Sequence, residues 1–273
     1  GLWSVVKRYA ASDDARRLDP LRARDVRKTV EEFVRAGADL PDEERKRAEA
    51  LKVELAQLST RFAENVLDAT NAYELVVRDE ARLAGLPEGV RRRAAADAQA
   101  HGHGEGAYRF SLQAPSYVPF MKHAEDRELR RELYEAFYSI AAGGQHDNRP
   151  LLRRILAKRR ELANVLGYAD FADLVLEDRM VKNGARAYGF LEELAARTAP
   201  YFAVERRELE RFAREELGLE GLAPWDVSFV AERMRAARYD FDDEALRPYF
   251  PLGAVLDGLF RLSERLFGVS VVE

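Results

Sequence analysis

The chain has 273 residues, enough to bury a substantial core as one large domain or two small ones. Its 44 Lys and Arg residues against 48 Asp and Glu residues give a formal net charge of -4, and the two signs are interspersed. This balance does not favour a nucleic acid or an anionic membrane surface as the partner. The absence of cysteine excludes disulfides, thiol nucleophiles and cysteine metal clusters.

No membrane-targeting segment is recognised in the sequence. No apolar run approaches the roughly 20 residues that a transmembrane helix needs. The first residues, GLWSVVKRYAASDD, lack the apolar core and cleavage pattern of a signal peptide. Together with the lack of cysteine, this predicts a cytoplasmic protein.

Hydrophobic periodicity predicts helices along the first hundred residues. Two charged helices, from Leu2 to Leu18 and from Leu21 to Ala36, are separated by Asp19-Pro20. A third helix begins after Pro41, and a fourth runs from about Glu88 to Gln99. The third helix carries an apolar stripe with steps of three and four residues, which are Leu51, Leu55, Leu58, Phe62 and Val66.

The tract LSTRFAENVLDAT, residues 58–70, lies near the end of the third helix. Its Asn65, Asp68 and Thr70 are residue types that cap helices, and we interpret them as fixing the chain direction rather than contacting a substrate. Gly85 then breaks the chain before the fourth helix.

Two histidines come close together in the tract His101-Gly102-His103-Gly104. A zinc site needs three protein ligands, and two imidazoles on a glycine-rich loop with only Glu105 adjacent do not supply them. We therefore interpret this tract as a solvated loop. His123 and His146 are isolated in the sequence and are interpreted as surface or packing residues.

The clearest strand is YRFSLQ, from Tyr108 to Gln113, in which apolar and polar side chains alternate. Pro115 ends the strand, and the sequence PSYVPFM predicts a turn into a short helix. Apart from this small β element and a terminal strand near residues 269–273, the chain is predicted to be mainly α-helical.

Further helices are predicted downstream. A helix rich in Leu and Arg follows Asp147, an N-cap candidate, and stops at Gly167. A long helix is predicted from Gly184 to Leu217, and Pro200 is expected to kink or split it. No repeat and no linker is visible, so residues 1–273 are interpreted as a single helical region without an internal boundary.

The C-terminal tract predicts two helices joined by the acidic connector DFDDE. Pro224 and Asp226 favour the start of the first. Between Leu252 and Phe267, apolar residues at spacings of three and four predict a helix with a wide buried face that lies in a core and ends at Gly268. The valines that follow favour the terminal strand, for which no partner follows.

Several tracts resemble, in order, the zinc metallopeptidases of the thimet oligopeptidase and oligopeptidase A family, and oligopeptidase A members most closely. They are LSTRFAENVLDAT, DEARLAGLPEGV, the YRFSLQ strand with its PSY turn, DRELRRELYEAF, the Asp147-Asn148 pair, PWD, RPYFPL, VLDGLFRL and RLFG. The resemblance extends from about Phe33 to the last residue.

This resemblance implies the helical scaffold of a zinc enzyme that cuts short peptides inside a deep channel. In the family, a zinc-binding HExxH helix, a further glutamate ligand and a Tyr/His-bearing loop follow downstream, and this sequence contains none of them. We therefore expect no catalytic residue and no bound zinc in this chain. The resemblance implies a fragment of a longer gene product, inactive alone and monomeric when complete.

By analogy with the family, the strand and the turn after it are expected to form part of the channel wall near a bound peptide. The residues concerned are Tyr108, Phe110, Ser116 and Tyr117. The alternative for each of them is a purely structural role in an aromatic strand packed on helices.

Two other interpretations stay open. The first is a non-catalytic helical protein that uses the channel wall as a peptide-binding or scaffold surface. The second is an unrelated α-solenoid, which predicts a repeat that the sequence does not show. If the residues that pack on the Leu252–Phe267 helix lie outside these 273 residues, the helix should expose a large apolar patch. In a self-sufficient protein, other residues of the same chain would cover it.

Overall fold

The computed structural model describes residues 1–239, 246 and 248–271, and in this part of the chain the predicted mainly α-helical class is confirmed. The elements in chain order are α1 (Leu2–Ala10), α2 (Asp13–Arg16), α3 (Pro20–Arg35), α4 (Asp42–Ala72), β1 (Leu75–Val77), α5 (Glu88–Ala100), β2 (Tyr108–Phe110), α6 (Ala114–His123), α7 (Arg127–Tyr138), α8 (Arg149–Val165), α9 (Phe171–Leu176), α10 (Gly184–Leu217), α11 (Val227–Tyr239) and α12 (Leu252–Phe267). No described helix combines the length and the apolar character that crossing a membrane requires.

Most helix boundaries follow the local signals in the sequence. Helix α10 has the predicted bounds, and Pro200 lies inside it without splitting it. The predicted first helix is wrong in one respect, because it forms two helices, α1 and α2. The break occurs where Ser12 caps α2, its hydroxyl accepting a hydrogen bond from the Ala15 N–H. The connector DFDDE lies outside the described residues.

A two-stranded antiparallel sheet is the β element of the described residues. Strand β2 pairs with β1, which the sequence analysis did not predict, and Leu75 lies opposite Phe110. The predicted strand from Tyr108 to Gln113 was too long. The observed strand β2 ends at Phe110, and α6 begins at Ala114. The terminal strand prediction is wrong for residues 269–271, which form no strand, and residues 272–273 lie outside the described part. A strand needs a neighbouring strand for its backbone hydrogen bonds, and no described segment pairs with this one.

The main core lies between the sheet and α5, α6 and α7. Its largest fully buried apolar side chains include Phe110 and Phe120, whose rings meet edge to face at 4.6 Å. A second cluster joins α4 to α8 and α9. There Asn65 donates a hydrogen bond to the Oδ1 of Asn148 at 2.8 Å. The prediction that Asn65 caps a helix end is therefore wrong, because it is buried inside α4 and ties this helix to the start of α8.

Asp226 connects the helix pair α10–α11 to the main core. Its side chain is 0 % exposed, and its carboxylate accepts hydrogen bonds from Arg130 Nη2 at 2.7 Å and from Arg127 Nη2 at 2.7 Å. It also accepts one from the Ala223 N–H at 3.0 Å. The guanidinium of Arg130 lies 4.1 Å from the ring centre of Phe229 on α11. Two arginines of α7 thus hold the start of α11.

Helix α12 presents its apolar face to solvent. None of its residues is buried, so the prediction that it lies in a core is wrong for this chain. A large uncovered apolar patch was expected if the residues that pack on this helix lie outside the sequence. The patch is confirmed, because seven large apolar side chains of α12 are 39–75 % exposed. They are Leu252, Val255, Leu256, Leu259, Leu262, Leu266 and Phe267. The periodicity defined the helix and its apolar face, but burial requires a neighbour for that face.

We expect Asp226→Asn to lower the free energy of unfolding by about 3 kcal/mol, because it leaves two arginine charges without their buried counter-ion. Burial alone would raise the pKa of Asp226, but hydrogen bonds from Arg127, Arg130 and Ala223 hold it below its usual value of 3.8. Stability from this carboxylate is therefore present above about pH 4 and lost as the pH falls through the folded-state pKa.

Urea unfolding of the wild type and the variant between pH 3 and pH 7 measures this effect. The difference between the two proteins should shrink towards the acidic end of the range. Asp13→Asn is the control, because Asp13 pairs with Arg16 on the exposed surface, where an ion pair contributes about 0.5 kcal/mol or less. Equal effects of the two substitutions at neutral pH would contradict the anchoring role of Asp226.

Candidate functional site

A cleft of about 200 Å³ lies between α5 and the segment that links β2 to α6. We call it the β2–α6 cleft. It combines apolar side chains with hydroxyl, amide and charged groups, and its lining residues are Val90, Arg93, Ala94, Asp97, Arg109, Phe110, Ser111, Gln113, Pro115 and Ser116. Two of the residues predicted to contact a peptide, Phe110 and Ser116, therefore share one concave surface.

The structure places these two residues in different roles. Phe110 is 1 % exposed, so it belongs to the core and forms the floor of the cleft. Ser116 lies in the first turn of α6, where its hydroxyl accepts a hydrogen bond from the Ser111 N–H at 3.0 Å. This bond fixes the PSY turn against the end of the strand, and it leaves the hydroxyl hydrogen of Ser116 free to donate.

The other two predicted residues do not line the cleft. Tyr108 lies half-buried on β2 opposite Val77 and packs against the main core. Tyr117 stacks on Phe137 of α7, with ring centres 4.1 Å apart. Burial, followed by the neighbouring tyrosines Tyr138 and Tyr134, raises the pKa of Tyr117 to about 12. Its phenol is therefore neutral at physiological pH.

Tyr117 belongs to a row of neighbouring aromatic rings from α6, α7 and the turn before α11. The ring of Phe137 lies 5.5 Å from Tyr138, Tyr138 lies 4.3 Å from Tyr134, and Tyr134 lies 6.3 Å from Trp225. We call these five residues the aromatic row. It includes half-buried and exposed rings, which offer apolar faces together with hydroxyl and indole N–H groups.

Arg109 is the buried charge of the β2–α6 cleft. The alternating pattern of the strand suggested a polar face, but α5 covers that face, and the side chain of Arg109 is 9 % exposed. Its Nε donates to Glu74 Oε2 at 2.9 Å, and its Nη1 donates to Asp97 Oδ2 at 2.6 Å. The hydrogen bond from Arg109, and then that from His103, lowers the pKa of Glu74.

The same carboxylates engage the histidines of the glycine-rich loop. His103 Nε2 lies 3.0 Å from Glu74 Oε2, and His101 Nδ1 lies 3.4 Å from Asp97 Oδ1. A cation bound between these groups would be repelled by the guanidinium of Arg109, which already pairs with both carboxylates. Over the described residues, no group of three or more His and acidic side chains could hold a metal ion. The residues of this cluster do not fit a zinc site.

A larger groove lies between α10 and α11 and has a volume of about 760 Å³. We call it the α10–α11 groove. Its floor is apolar, formed by Phe202, Leu209, Leu222, Pro224, Val227 and Met234. Its charged residues are Glu205, Arg206, Glu208 and Arg238. Trp225 of the aromatic row lies between the lining residues Pro224 and Val227 in sequence, but it does not line the groove.

The Arg109 cluster and the groove are not evident from the sequence. An arginine between two aromatic residues of a strand was a usable signal for a buried ion pair, but its partners, Glu74 and Asp97, lie 35 and 12 residues away. Phe202 and Leu209 lie seven residues apart in α10, and this spacing puts them on one helix face. That this face forms a groove depends on the position of α11.

Comparison with known proteins gives consistent matches. The family model described as "Peptidase family M3" matches residues 120–273, more than half of the chain. The chain is 38 % identical to an oligopeptidase A of Haemophilus influenzae, over 91 % of this chain and 37 % of that protein. It is 34 % identical to oligopeptidase A of Escherichia coli K12, over 100 % of this chain and 41 % of that protein.

A plant relative, the "Probable cytosolic oligopeptidase A" of Arabidopsis thaliana, is 36 % identical over 99 % of this chain and 40 % of its own length. The chain thus spans about two fifths of the length of these three relatives, with shares of 37–41 %.

We expect Arg109→Met to raise the pKa of Glu74 towards its usual value of 4.5, because it removes the largest cause of the lowered value. Carboxyl-detected NMR titration measures the change. His103→Gln should raise the pKa of Glu74 by less, because the histidine is the second cause. A Glu74 pKa that is unchanged in Arg109→Met, in a variant with native amide chemical shifts elsewhere, would contradict the assignment.

Proposed function

The chain belongs to peptidase family M3, and we propose that it is the helical, peptide-binding part of an oligopeptidase that hydrolyses bonds in short peptides. The observation that carries this proposal is the family match over residues 120–273, together with relatives that are named oligopeptidase A. The geometry is compatible with a binding role, because clefts and an aromatic row occur on elements held rigidly by the main core and by Asp226.

The proposed chemistry is zinc-dependent peptide hydrolysis. Zinc would lower the pKa of a bound water and polarise the scissile carbonyl. No two of the four histidines in this sequence are four residues apart, and the His101–His103 cluster does not fit the metal. We therefore propose that the zinc-binding residues are supplied by sequence other than these 273 residues, and that this chain alone does not hydrolyse peptides.

For this chain we propose a role in the wall of a peptide channel. Ser116 and Tyr117 would contact peptide, with Tyr108 beside them and Phe110 supporting the surface from beneath. Supporting this assignment, Ser116 has a hydroxyl hydrogen available to donate, and the neutral phenol of Tyr117 can donate to a carbonyl. Such groups bind a peptide backbone without imposing a charge on the site.

We further propose that the exposed apolar faces of α10 and α12 pack against the zinc-binding part of the enzyme. Besides the side chains of α12, residues 188–204 of α10 include large exposed apolar side chains, which are Tyr188, Phe190, Leu191, Leu194, Tyr201, Phe202 and Val204. An apolar surface of this extent is typical of one that meets another protein surface. The monomeric state of the complete enzyme stays a prediction. Its cytoplasmic location also stays a prediction, because the relatives include proteins named cytosolic and organellar.

A second candidate function is a non-catalytic peptide-binding protein. The observation that favours it is the α10–α11 groove, which is concave and apolar without any contribution from other sequence. The two candidates differ in one property. A peptidase part becomes catalytic when it is joined to a zinc-binding part of the family, whereas a dedicated binding protein binds peptide but never supports hydrolysis.

A chimera tests the proposed function. In oligopeptidase A of Escherichia coli, this chain replaces the segment that it matches, and hydrolysis of a fluorogenic short peptide is measured with and without a chelator. We expect chelator-sensitive hydrolysis by the chimera and none by the 273-residue chain alone. Replacing the glutamate of the zinc-binding motif in the Escherichia coli part should lower kcat by on the order of 100-fold or more.

Two results would overturn the proposal. A chimera that is folded and binds zinc but does not hydrolyse peptide would contradict a role as a peptidase part. Chelator-sensitive hydrolysis by the 273-residue chain on its own would contradict the proposed origin of the metal ligands.

A further inference from the structure

We propose that Tyr134 and Tyr138 of α7 form a site of oxidative cross-linking, at which a one-electron oxidant joins the two phenol rings by a carbon–carbon bond. The product is a dityrosine within one chain. This inference goes beyond the proposed function and does not depend on it, because it concerns a covalent modification of the aromatic row and not the binding or hydrolysis of a peptide.

The two rings already lie in contact. Both residues belong to α7, and their spacing of four puts the side chains on one helix face. Their ring centres lie 4.3 Å apart, with an angle of 35° between the ring planes. The ring centres of two directly bonded phenyl rings have nearly the same separation, so bond formation requires rotation of the rings and no unwinding of the helix. Every other ring contact of the described residues includes a ring that is not a tyrosine.

One ring of the pair is held by its surroundings, and the other is able to turn. Tyr134 is half-buried and packs against the main core. Tyr138 is 69 % exposed and is the last residue of α7. Exposed side chains change rotamer within picoseconds to nanoseconds. Tyr138 can therefore reorient against Tyr134, and a dissolved oxidant can reach it.

The composition of the chain directs a one-electron oxidant to the aromatic side chains. The sequence contains no cysteine, so no thiolate competes for the oxidant. Methionine reacts differently, by gaining an oxygen atom to form the sulfoxide. Trp225 lies 6.3 Å from Tyr134, and it can pass an oxidising equivalent to the phenol because the tyrosyl radical is the more stable of the two at neutral pH. Oxidising equivalents that reach the aromatic row are therefore collected by the tyrosine pair.

The proposed reaction balances with one hydrogen peroxide, used through a haem peroxidase. Each oxidising equivalent removes one electron and the phenol proton from one tyrosine, which leaves a neutral tyrosyl radical. The two radicals couple through the ring carbons that neighbour the hydroxyl-bearing carbons. The hydrogens on the coupled carbons then move to the oxygens, and both rings become aromatic again. In total the tyrosines lose two hydrogen atoms, and the peroxide is reduced to two water molecules.

The cross-link would fix one end of the aromatic row. The ring of Phe137 lies 5.5 Å from that of Tyr138, and Tyr117 stacks on Phe137 with ring centres 4.1 Å apart. A bond from Tyr138 to Tyr134 removes the rotation of the Tyr138 ring. Oxidation would thus convert an exposed, turning ring beside the Tyr117–Phe137 stack into a fixed one.

The experiment treats the 273-residue chain with a haem peroxidase and limiting hydrogen peroxide. Monomer is isolated on a denaturing column and digested with trypsin and a glutamate-specific protease. Cleavage after Glu135 puts Tyr134 and Tyr138 on separate fragments, unless a cross-link joins them. We expect dityrosine fluorescence in the monomer and a joined pair of fragments that lacks two hydrogen atoms. The yield per chain should not change on dilution, because both reacting groups belong to one molecule.

Three variants test the site. Tyr134→Phe and Tyr138→Phe keep a ring for stacking, and each should abolish the cross-linked monomer because phenylalanine has no phenol to oxidise. Tyr188→Phe is the matched control, since Tyr188 on α10 is 65 % exposed and has no ring contact among the described residues. It should leave the yield unchanged. Circular dichroism checks that the four proteins have the same helix content.

Several outcomes would overturn the proposal. One is dityrosine in the wild type that occurs only in covalent dimers. Another is a loss of cross-linked monomer in Tyr188→Phe as large as that in Tyr138→Phe. A third is the absence of any cross-link in the chain while N-acetyltyrosine in the same reaction is converted to its dimer. None of these results depends on the activity of the chimera, so the proposed function is tested separately.

Discussion

The buried carboxylate of Asp226 is a contact on which the placement of α11 and of the α10–α11 groove depends. It links two arginines of α7 to the first turn before α11, and it also caps its own segment through the Ala223 N–H. Because the charge is removed from water, it is stable only with these partners in place. This contact acts together with the packing of α11 on α6 and the ion pair between Arg233 and Glu125. These interactions position the helix pair α10–α11 and the groove between its members on the main core.

The distribution of apolar side chains divides the described chain into two parts. From α4 to α9, the apolar faces of the helices meet one another or the sheet, and the result is an ordinary core. In α10 and α12, large apolar side chains remain exposed, and the buried cluster that includes α11 is small. The first part supplies rigidity, and the second supplies surface for contacts. This division is what the proposed packing of α10 and α12 against another protein surface requires.

The cluster around Arg109 shows why residue types alone do not define a metal site. Two histidines and two carboxylates lie together, as they would around a metal ion. The guanidinium between the carboxylates changes the electrostatics, because it supplies the positive charge that a metal would otherwise provide. The histidines then act as hydrogen-bonding partners that hold the glycine-rich loop to the end of α4 and to α5.

The sequence by itself determined the mainly α-helical class, the family and most helix limits, such as Gly184–Leu217 and the stop at Gly268, because capping residues, glycine and hydrophobic period act within a few residues. It placed Phe110 and Ser116 at a candidate site. Only the tertiary structure decided that Arg109 and Asn65 are buried, that α12 is uncovered and that α10 and α11 enclose a groove. Burial and ion pairing are properties of two surfaces in contact, and those surfaces come from residues far apart in the chain.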